Sequence, residues 1–195
     1  TPAIANGLVN SMSSRVREAC AAVLTATRDP KALQALMDAL EDPNEWIRVL
    51  AIKGLGNVEN KAATPRLLQL LAGDRVPGHV KRQALVSLGR LGDKRATKPM
   101  LAYFEKTWDA AAQTALWDMR RVLSPSQIKR LIVAPLRAKP DDVPTQVQKF
   151  SVKKAGALKL RGAVGPLKKR FDNDSLQNSV VHSLGLIGDR SAVGF

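Results

Sequence analysis

The chain has 195 residues, 45% of them hydrophobic and 4% aromatic, with one cysteine and a formal net charge of +14. That is enough apolar material for a stacked core; a single thiol excludes an internal disulfide, and no apolar run approaches the roughly 18 residues of a membrane span. The charge is uneven: residues 1–74 hold 8 Lys and Arg against 8 Asp and Glu, residues 75–170 hold 22 against 6, and residues 171–195 hold 1 against 3, so an anion-attracting field belongs to the middle of the chain.

In chain order, Thr1-Pro2-Ala3-Ile4 resembles Thr64-Pro65-Arg66-Leu67. Residues 1–13 therefore read as the remnant of a preceding repeat, and the chain is expected to be a piece of a longer one. From there a helical pattern recurs. Its starting column is Val16, Ile47, Val80, Ala111, Val147 and Leu176. Four residues on stand Cys20, Ala51, Ala84, Ala115, Ser151 and Val180; five on, Ala21, Ile52, Leu85, Leu116, Val152 and Val181; eight on, Leu24, Leu55, Leu88, Met119, Ala155 and Leu184. Apolar residues at these offsets mark one buried helix face, which makes Cys20 a packed core thiol. The position after the start, Arg17, Arg48, Lys81, Ala112, Gln148 and Gln177, reads as mostly solvent.

A second helix follows each first one, with columns Ala32, Ala63, Ala96, Ala163 and Ala192, then Leu36, Leu67, Met100 and Leu167, then Leu40, Leu71, Phe104 and Phe171. Asp29-Pro30, Thr64-Pro65 and Ser124-Pro125 read as N-caps ahead of a first-turn proline, and Asp42-Pro43-Asn44-Glu45 and Ser124-Pro125-Ser126-Gln127 as capping boxes. Glycines 56, 73, 89, 92, 185 and 188 are expected where helices stop and the chain turns. Repeat four departs from the rest: Pro135 falls where Leu40, Leu71 and Phe104 stand elsewhere, and a polar, proline-rich run follows from Arg137 to Pro144. The helix is expected to kink or stop near Ala134, ahead of an exposed loop.

Starts 31, 33, 31, 36 and 29 residues apart give a helix–turn–helix unit of solenoid size. Residues 88–96, LGRLGDKRA, and residues 184–192, LGLIGDRSA, resemble the HEAT-like repeats of the phycobilisome-lyase type. The resemblance implies an all-α fold, a right-handed alpha solenoid of about six stacked HEAT-like helix pairs, in one domain over residues 1–195. The repeats would run over about 14–42, 43–74, 75–107, 108–144, 145–174 and an incomplete 175–195. It also implies that the second helices line the concave side. Function does not follow from it, since the scaffold serves chromophore lyases, hydroxylases, DNA glycosylases and adaptors.

Placed on that scaffold, Arg66, Lys98, Lys106, Lys129, Arg130, Arg137, Lys168, Lys169 and Arg170 take exposed second-helix positions, where they could form a basic track. Lys81, Arg82, Arg120, Arg121, Lys149, Lys153 and Lys154 spread over the first helices. Tyr103, next to the buried Phe104, and Trp117, at the edge of the buried face, are the candidate aromatic contacts, while Trp46 and Trp108 read as packing over repeat junctions. A dimetal hydroxylase would need paired His-Glu dyads, and the two histidines, His79 and His182, are followed by Val80 and Ser183. A HEAT-like DNA glycosylase could draw on Trp108, Asp109, Trp117 and Asp118, yet Asp109 is the natural N-cap of its helix. No residue that would handle a bilin chromophore is named by the resemblance. The reading is a non-enzymatic, cytoplasmic scaffold without cofactor or metal, binding an acidic protein partner through a basic surface. Nucleic-acid binding through phosphate contacts is the alternative, with a glycosylase behind it.

Overall fold

The computed structural model describes residues 1–189, and every regular element among them is helical. Those residues form α1 (Pro2–Asn10), α2 (Ser14–Thr27), α3 (Leu33–Asp38), α4 (Glu45–Val58), α5 (Thr64–Ala72), α6 (Gly78–Leu91), α7 (Lys94–Thr107), α8 (Ala110–Asp118), α9 (Pro125–Arg137), α10 (Thr145–Ala157), α11 (Val164–Lys168) and α12 (Gln177–Ile187). From α2 to α11 they are helix pairs, the even-numbered helix first and the odd-numbered second, with α1 before and α12 after those pairs among the described residues. The second-helix position Ala192 lies outside the described residues. The chain forms two compact units, one of Thr1–Met100 with Thr114–Val122, the other of Leu101–Gln113 with the chain from Leu123.

In the first unit, α2 packs on α1 and α4, α4 on α6, and the second helices α3 and α5 lie against α4 and α6. In the other unit α10 lies against α9 and α12, and α11 against α9 and α12. The apolar columns make these contacts. Ile47, Ala51, Ile52 and Leu55 are fully buried, as are Val147, Val152, Ala155, Leu36, Leu67, Met100, Phe104 and Leu167. Four first-helix expectations for the buried face fail, one of them Ala111, which is half-buried, and in the second helices Phe171 is half-buried as well. Val16 and Val181 are 46% and 55% exposed, because α2 and α12 are the first and last of the first helices and carry one flank with no helix over it among the described residues. Cys20 is half-buried and no core thiol; its Sγ stands 2.9 Å from where a Cβ on Gly7 would be.

The position after the start is not a solvent column. Arg17 donates to the Ser11 and Met12 carbonyls (3.0 and 3.3 Å), Arg48 to those of Asp42 and Pro43 (2.7 and 3.1 Å), and Gln148 to those of Pro140 and Val143 (2.8 and 2.7 Å). Three side chains from the second residue of the pattern thus reach back to carbonyls of the connecting turn, most of which receive no backbone amide; the Pro140 carbonyl also takes the Val143 amide at 3.3 Å. Ala112 and Gln148 are buried outright. Asp42 joins the arrangement: burial alone would raise its carboxyl, but hydrogen bonds from Arg17 and the Asn44 amide, with the charges of Arg17 and Arg48, hold it below the usual carboxylate range.

The caps differ from expectation in two places. Asp29 and Ser124 cap as read, Ser124 in a full capping box with Gln127. Thr64, however, is buried inside a continuous turn; Asn60 makes the cap one 3-10 turn earlier, accepting the Ala62 amide at 2.9 Å. At the start of α4 the cap is Asn44, not Asp42, and it accepts the Trp46 amide at 2.9 Å.

Asp93 opens α7 as Asn60 precedes α5, and it is 5% exposed. The Arg95 guanidinium, aided by the Arg95 amide, outweighs burial and lowers its carboxyl from 3.8 to about 2. Such a group stabilises the fold fully above about pH 4 and loses that contribution as the pH falls through about 2. Asp93→Asn is therefore expected to lower stability by about 2 kcal/mol at pH 7. In thermal unfolding followed by circular dichroism, the gap between it and the parent should narrow on going from pH 5 to 2.5. A gap that is constant with pH would show that the carboxylate's charge contributes nothing.

The glycines divide into two jobs. Gly92 and Gly188 close α6 and α12 with φ of 55° and 65°, the left-handed turn that favours glycine. Gly56 and Gly89 instead lie inside α4 and α6, and Gly185 inside α12, not at helix ends as their spacing predicts. A Cβ on Gly56 would stand 2.9 Å from the Ser87 Cα, and one on Gly156 of α10 would stand 2.7 Å from the Ser183 Cα. In both places the serine also donates to the facing helix, Ser87 to the Ile52 carbonyl at 2.8 Å and Ser183 to that of Val152 at 2.9 Å. The pair acts as a latch: glycine admits the neighbouring backbone, and the serine hydroxyl fixes the register.

Candidate functional site

Helix α9 forms where a capping box at Ser124 and a proline in the first turn start it, and it presents one stripe outward. Pro135 does not stop it at Ala134; the helix runs to Arg137, closed by the Ala138 amide on the Ala134 carbonyl at 3.1 Å. The end of the helix beyond the proline is held by Arg170. It was expected in the exposed basic track, yet it is 2% exposed, and its guanidinium donates to the carbonyl oxygens of Pro135 (3.0 Å) and Ala138. A cation at these carbonyls also sits against the negative end of the α9 dipole. Burial lowers the Arg170 pKa from its ordinary value, and no carboxylate contributes to it. The following loop is exposed as expected, apart from Val143, which is buried.

Between the end of α7 and the outer face of α9 lies an open groove of about 590 Å³, walled by Glu105 and Trp108 on one side and by residues of α9 on the other. Its floor is apolar, from Trp108, Val133, Ala134 and Ala138, and its cations are Lys129, Arg130 and Arg137. Trp108 ends α7 in the left-handed region at φ 50°, its amide on the Phe104 carbonyl at 2.7 Å and its ring edge-to-face with Phe104 at 5.2 Å. Arg28 and Glu59 end α2 and α4 with the same backbone; at Trp108 this turn leaves a half-buried indole in the groove wall.

The electrostatics of the groove are set by one ion pair. Arg130 meets Glu105 with both arms of its guanidinium, Nε to Oε1 at 2.9 Å and Nη2 to Oε2 at 2.5 Å, and the pairing raises the Arg130 pKa. Lys129 and Arg137 are exposed and form no ion pair among the described residues.

Of the basic and aromatic residues singled out from the sequence, Lys129, Arg130 and Arg137 come together here. Lys106 on α7 and Lys169 beyond α11 are exposed in the same unit, while Lys168 and Tyr103 are half-buried, Tyr103 through its carbonyl taking the Thr107 hydroxyl at 2.8 Å. In the other unit, Lys98 is exposed, but Arg66 is half-buried and engaged with Glu41 and Gln69. Trp117 is half-buried under the Arg120 guanidinium, 5.3 Å from its ring centre. Asp109 accepts the Ala111 and Ala112 amides (2.7 and 3.3 Å), which makes it the N-cap of α8. No cluster of three or more His, Cys, Asp or Glu side chains that could hold a metal is present among the described residues, and no helix among them is long and apolar enough to cross a membrane.

Sequence reasoning missed Trp108 and Glu105 as members of the site. Their signal was present but ambiguous: an acid and an aromatic at the end of a second helix look like any solvated last turn until the next second helix is laid beside them.

Antiparallel helix pairs joined by Asx-capped turns, latched to the next pair and offering a groove between second helices, define a helical-repeat protein. The chain belongs to the HEAT repeat family, whose family model matches residues 1–77 and again 38–120, more than half of its length. A solved structure, that of the complex of CpcE and CpcF of phycocyanin lyase from Nostoc sp. PCC7120, is similar with a TM-score of 0.53 and 19% identity, over 98% of this chain and 82% of that one. At that identity the likeness speaks to the fold. No curated protein matches the chain.

Proposed function

We propose that this HEAT-repeat protein is a non-enzymatic adaptor, and that the groove between α7 and α9 binds an acidic segment of a partner protein. The observation that carries this reading is the combination of free cations, Lys129 and Arg137, with an apolar floor of Trp108, Val133 and Ala134. Apolar surface at the centre with charge at the rim is how peptide-binding surfaces divide affinity from specificity. The rigid helix pairs add affinity because little has to be ordered on binding.

Nucleic-acid binding is the second reading, favoured by the excess of 22 basic over 6 acidic residues in residues 75–170. A phosphate track, however, calls for contiguous cations, whereas here Glu105 stands among them and already occupies Arg130. The two are separated by anisotropy titrations of a labelled Glu- and Leu-rich peptide, and of labelled duplex and single-stranded DNA, at about 50 and 200 mM salt. The peptide is expected to bind more tightly than either DNA, and the double variant Lys129→Glu/Arg137→Glu to weaken it roughly 100-fold. DNA binding tighter than the peptide, and collapsing with salt, would replace this reading with the second one.

A further inference from the structure

Resting on the reading of the groove as a peptide-binding surface, we infer that Glu105 is an internal competitor that holds Arg130 out of play. The groove then selects an extended acidic segment with two carboxylates about four residues apart around one apolar side chain. The geometry is that of α9. Lys129 and Arg137 lie eight positions apart on one helix, and at 1.5 Å per residue their backbones are about 12 Å apart. An extended chain spans that distance in about four residues. A helical segment would instead need its two carboxylates about eight positions apart to meet both cations, so the spacing of the acids separates an extended partner from a helical one. Between the two cations lie Val133 and Ala134, facing Trp108 across the groove, so an apolar side chain midway along the segment meets an apolar floor.

Glu105 sets how many charges the segment carries. Its side chain is 26% exposed against 61% for Arg130. The partner's carboxylates are therefore left with Lys129 and Arg137, and a third acid near Arg130 meets the charge of Glu105. A phosphodiester strand, which brings a charge with every residue, about 3.4 Å of duplex axis apart, is disfavoured by the same carboxylate. Glu105 thus acts on the partner's charge spacing rather than on binding as such.

The test uses the whole chain and two labelled peptides of one composition, one with the core Glu-Ser-Leu-Ser-Glu and one with Glu-Glu-Ser-Leu-Ser. The spaced peptide is expected to bind roughly tenfold more tightly than the clustered one, the worth of one charge-assisted contact. Glu105→Gln, by freeing Arg130 beside Lys129, is expected to strengthen the clustered peptide and close most of that gap. Lys129→Gln should weaken the spaced peptide. Equal affinities for the two peptides, both reduced by Lys129→Gln, would overturn the spacing and leave the groove as a peptide site. A gap unchanged in Glu105→Gln would overturn the competitor role. If neither peptide binds, or if binding ignores Lys129→Gln, the inference and the groove reading fall together.

Discussion

Gly156→Val is expected to destabilise the protein by about 3 kcal/mol, a fall in Tm of roughly 6–12 °C. The first added carbon would stand 2.7 Å from the Ser183 Cα and 2.8 Å from the Ser183 Oγ, and two of the three contacts are with atoms that cannot swing aside. To relieve them α12 must move away from α10, which breaks the Ser183 hydroxyl bond to the Val152 carbonyl and opens the apolar contact around Val152 and Val180, both fully buried. Because each repeat is stabilised by its neighbours, the damage should also reduce the cooperativity of unfolding. Gly165→Ala is the control. That glycine lies in α11 with nothing within 4 Å of an added Cβ, so the substitution should be neutral or stabilise by a few tenths of a kcal/mol. Thermal and urea unfolding of the two variants beside the parent checks both; a Gly156→Val protein as stable as Gly165→Ala would show that the helices are not held at this distance by the glycine.

Arg170→Met is expected to cost about 2–3 kcal/mol and, in addition, to weaken binding at the groove. Methionine keeps much of the buried volume, so the loss isolates the two hydrogen bonds to Pro135 and Ala138. Those carbonyls lie at the end of α9, where the helix has no further amides to offer, and once buried without a donor each costs about 1–3 kcal/mol. Arg137 and Ala138, at one end of the groove, are held by the same contacts. Urea unfolding gives the first effect, and peptide titration at a temperature where the variant is still folded gives the second. Arg170→Lys, which can reach one carbonyl but not both, should fall between. A variant with lowered stability but unchanged affinity would show that Arg170 supports the fold and not the groove.

Much of the architecture was legible in the sequence because repetition averages out local ambiguity. The offsets of four, five and eight residues recovered the buried face, and most of its members, from Ile47 to Leu184, are indeed buried. What the spacing could not convey was the difference between a glycine that turns the chain and one that lets two helices touch. Gly56 and Gly92 stand in similar Leu-Gly surroundings, yet one is inside α4 against Ser87 and the other caps α6. A close approach depends on the neighbouring repeat, which local sequence does not show. The arginines after the start column posed the same problem, since Arg17 and Arg48 look solvated in one dimension and reach turn carbonyls in three.

The candidate site was read in part. A second-helix periodicity put Lys129, Arg130 and Arg137 on one side of α9, and the groove includes all three. It could not tell Arg170 from its neighbours Lys168 and Lys169, because the feature that buries it, the end of a proline-containing helix one repeat earlier, lies about 35 residues away in sequence. Nor could it pair Glu105 with Arg130 across a separation of 25. Trp117 was preferred to Trp108 as the partner-facing aromatic. In the structure Arg120 covers Trp117, and Trp108 walls the groove.

The most direct measurement follows the three indole N–H resonances of Trp46, Trp108 and Trp117 by nuclear magnetic resonance while the spaced acidic peptide is titrated in. The groove account predicts that the Trp108 resonance moves in step with binding, that Trp46 and Trp117 stay where they are, and that Lys129→Glu/Arg137→Glu abolishes the shift. Saturable binding that leaves Trp108 unmoved, or that moves Trp46 or Trp117 in its place, would contradict it.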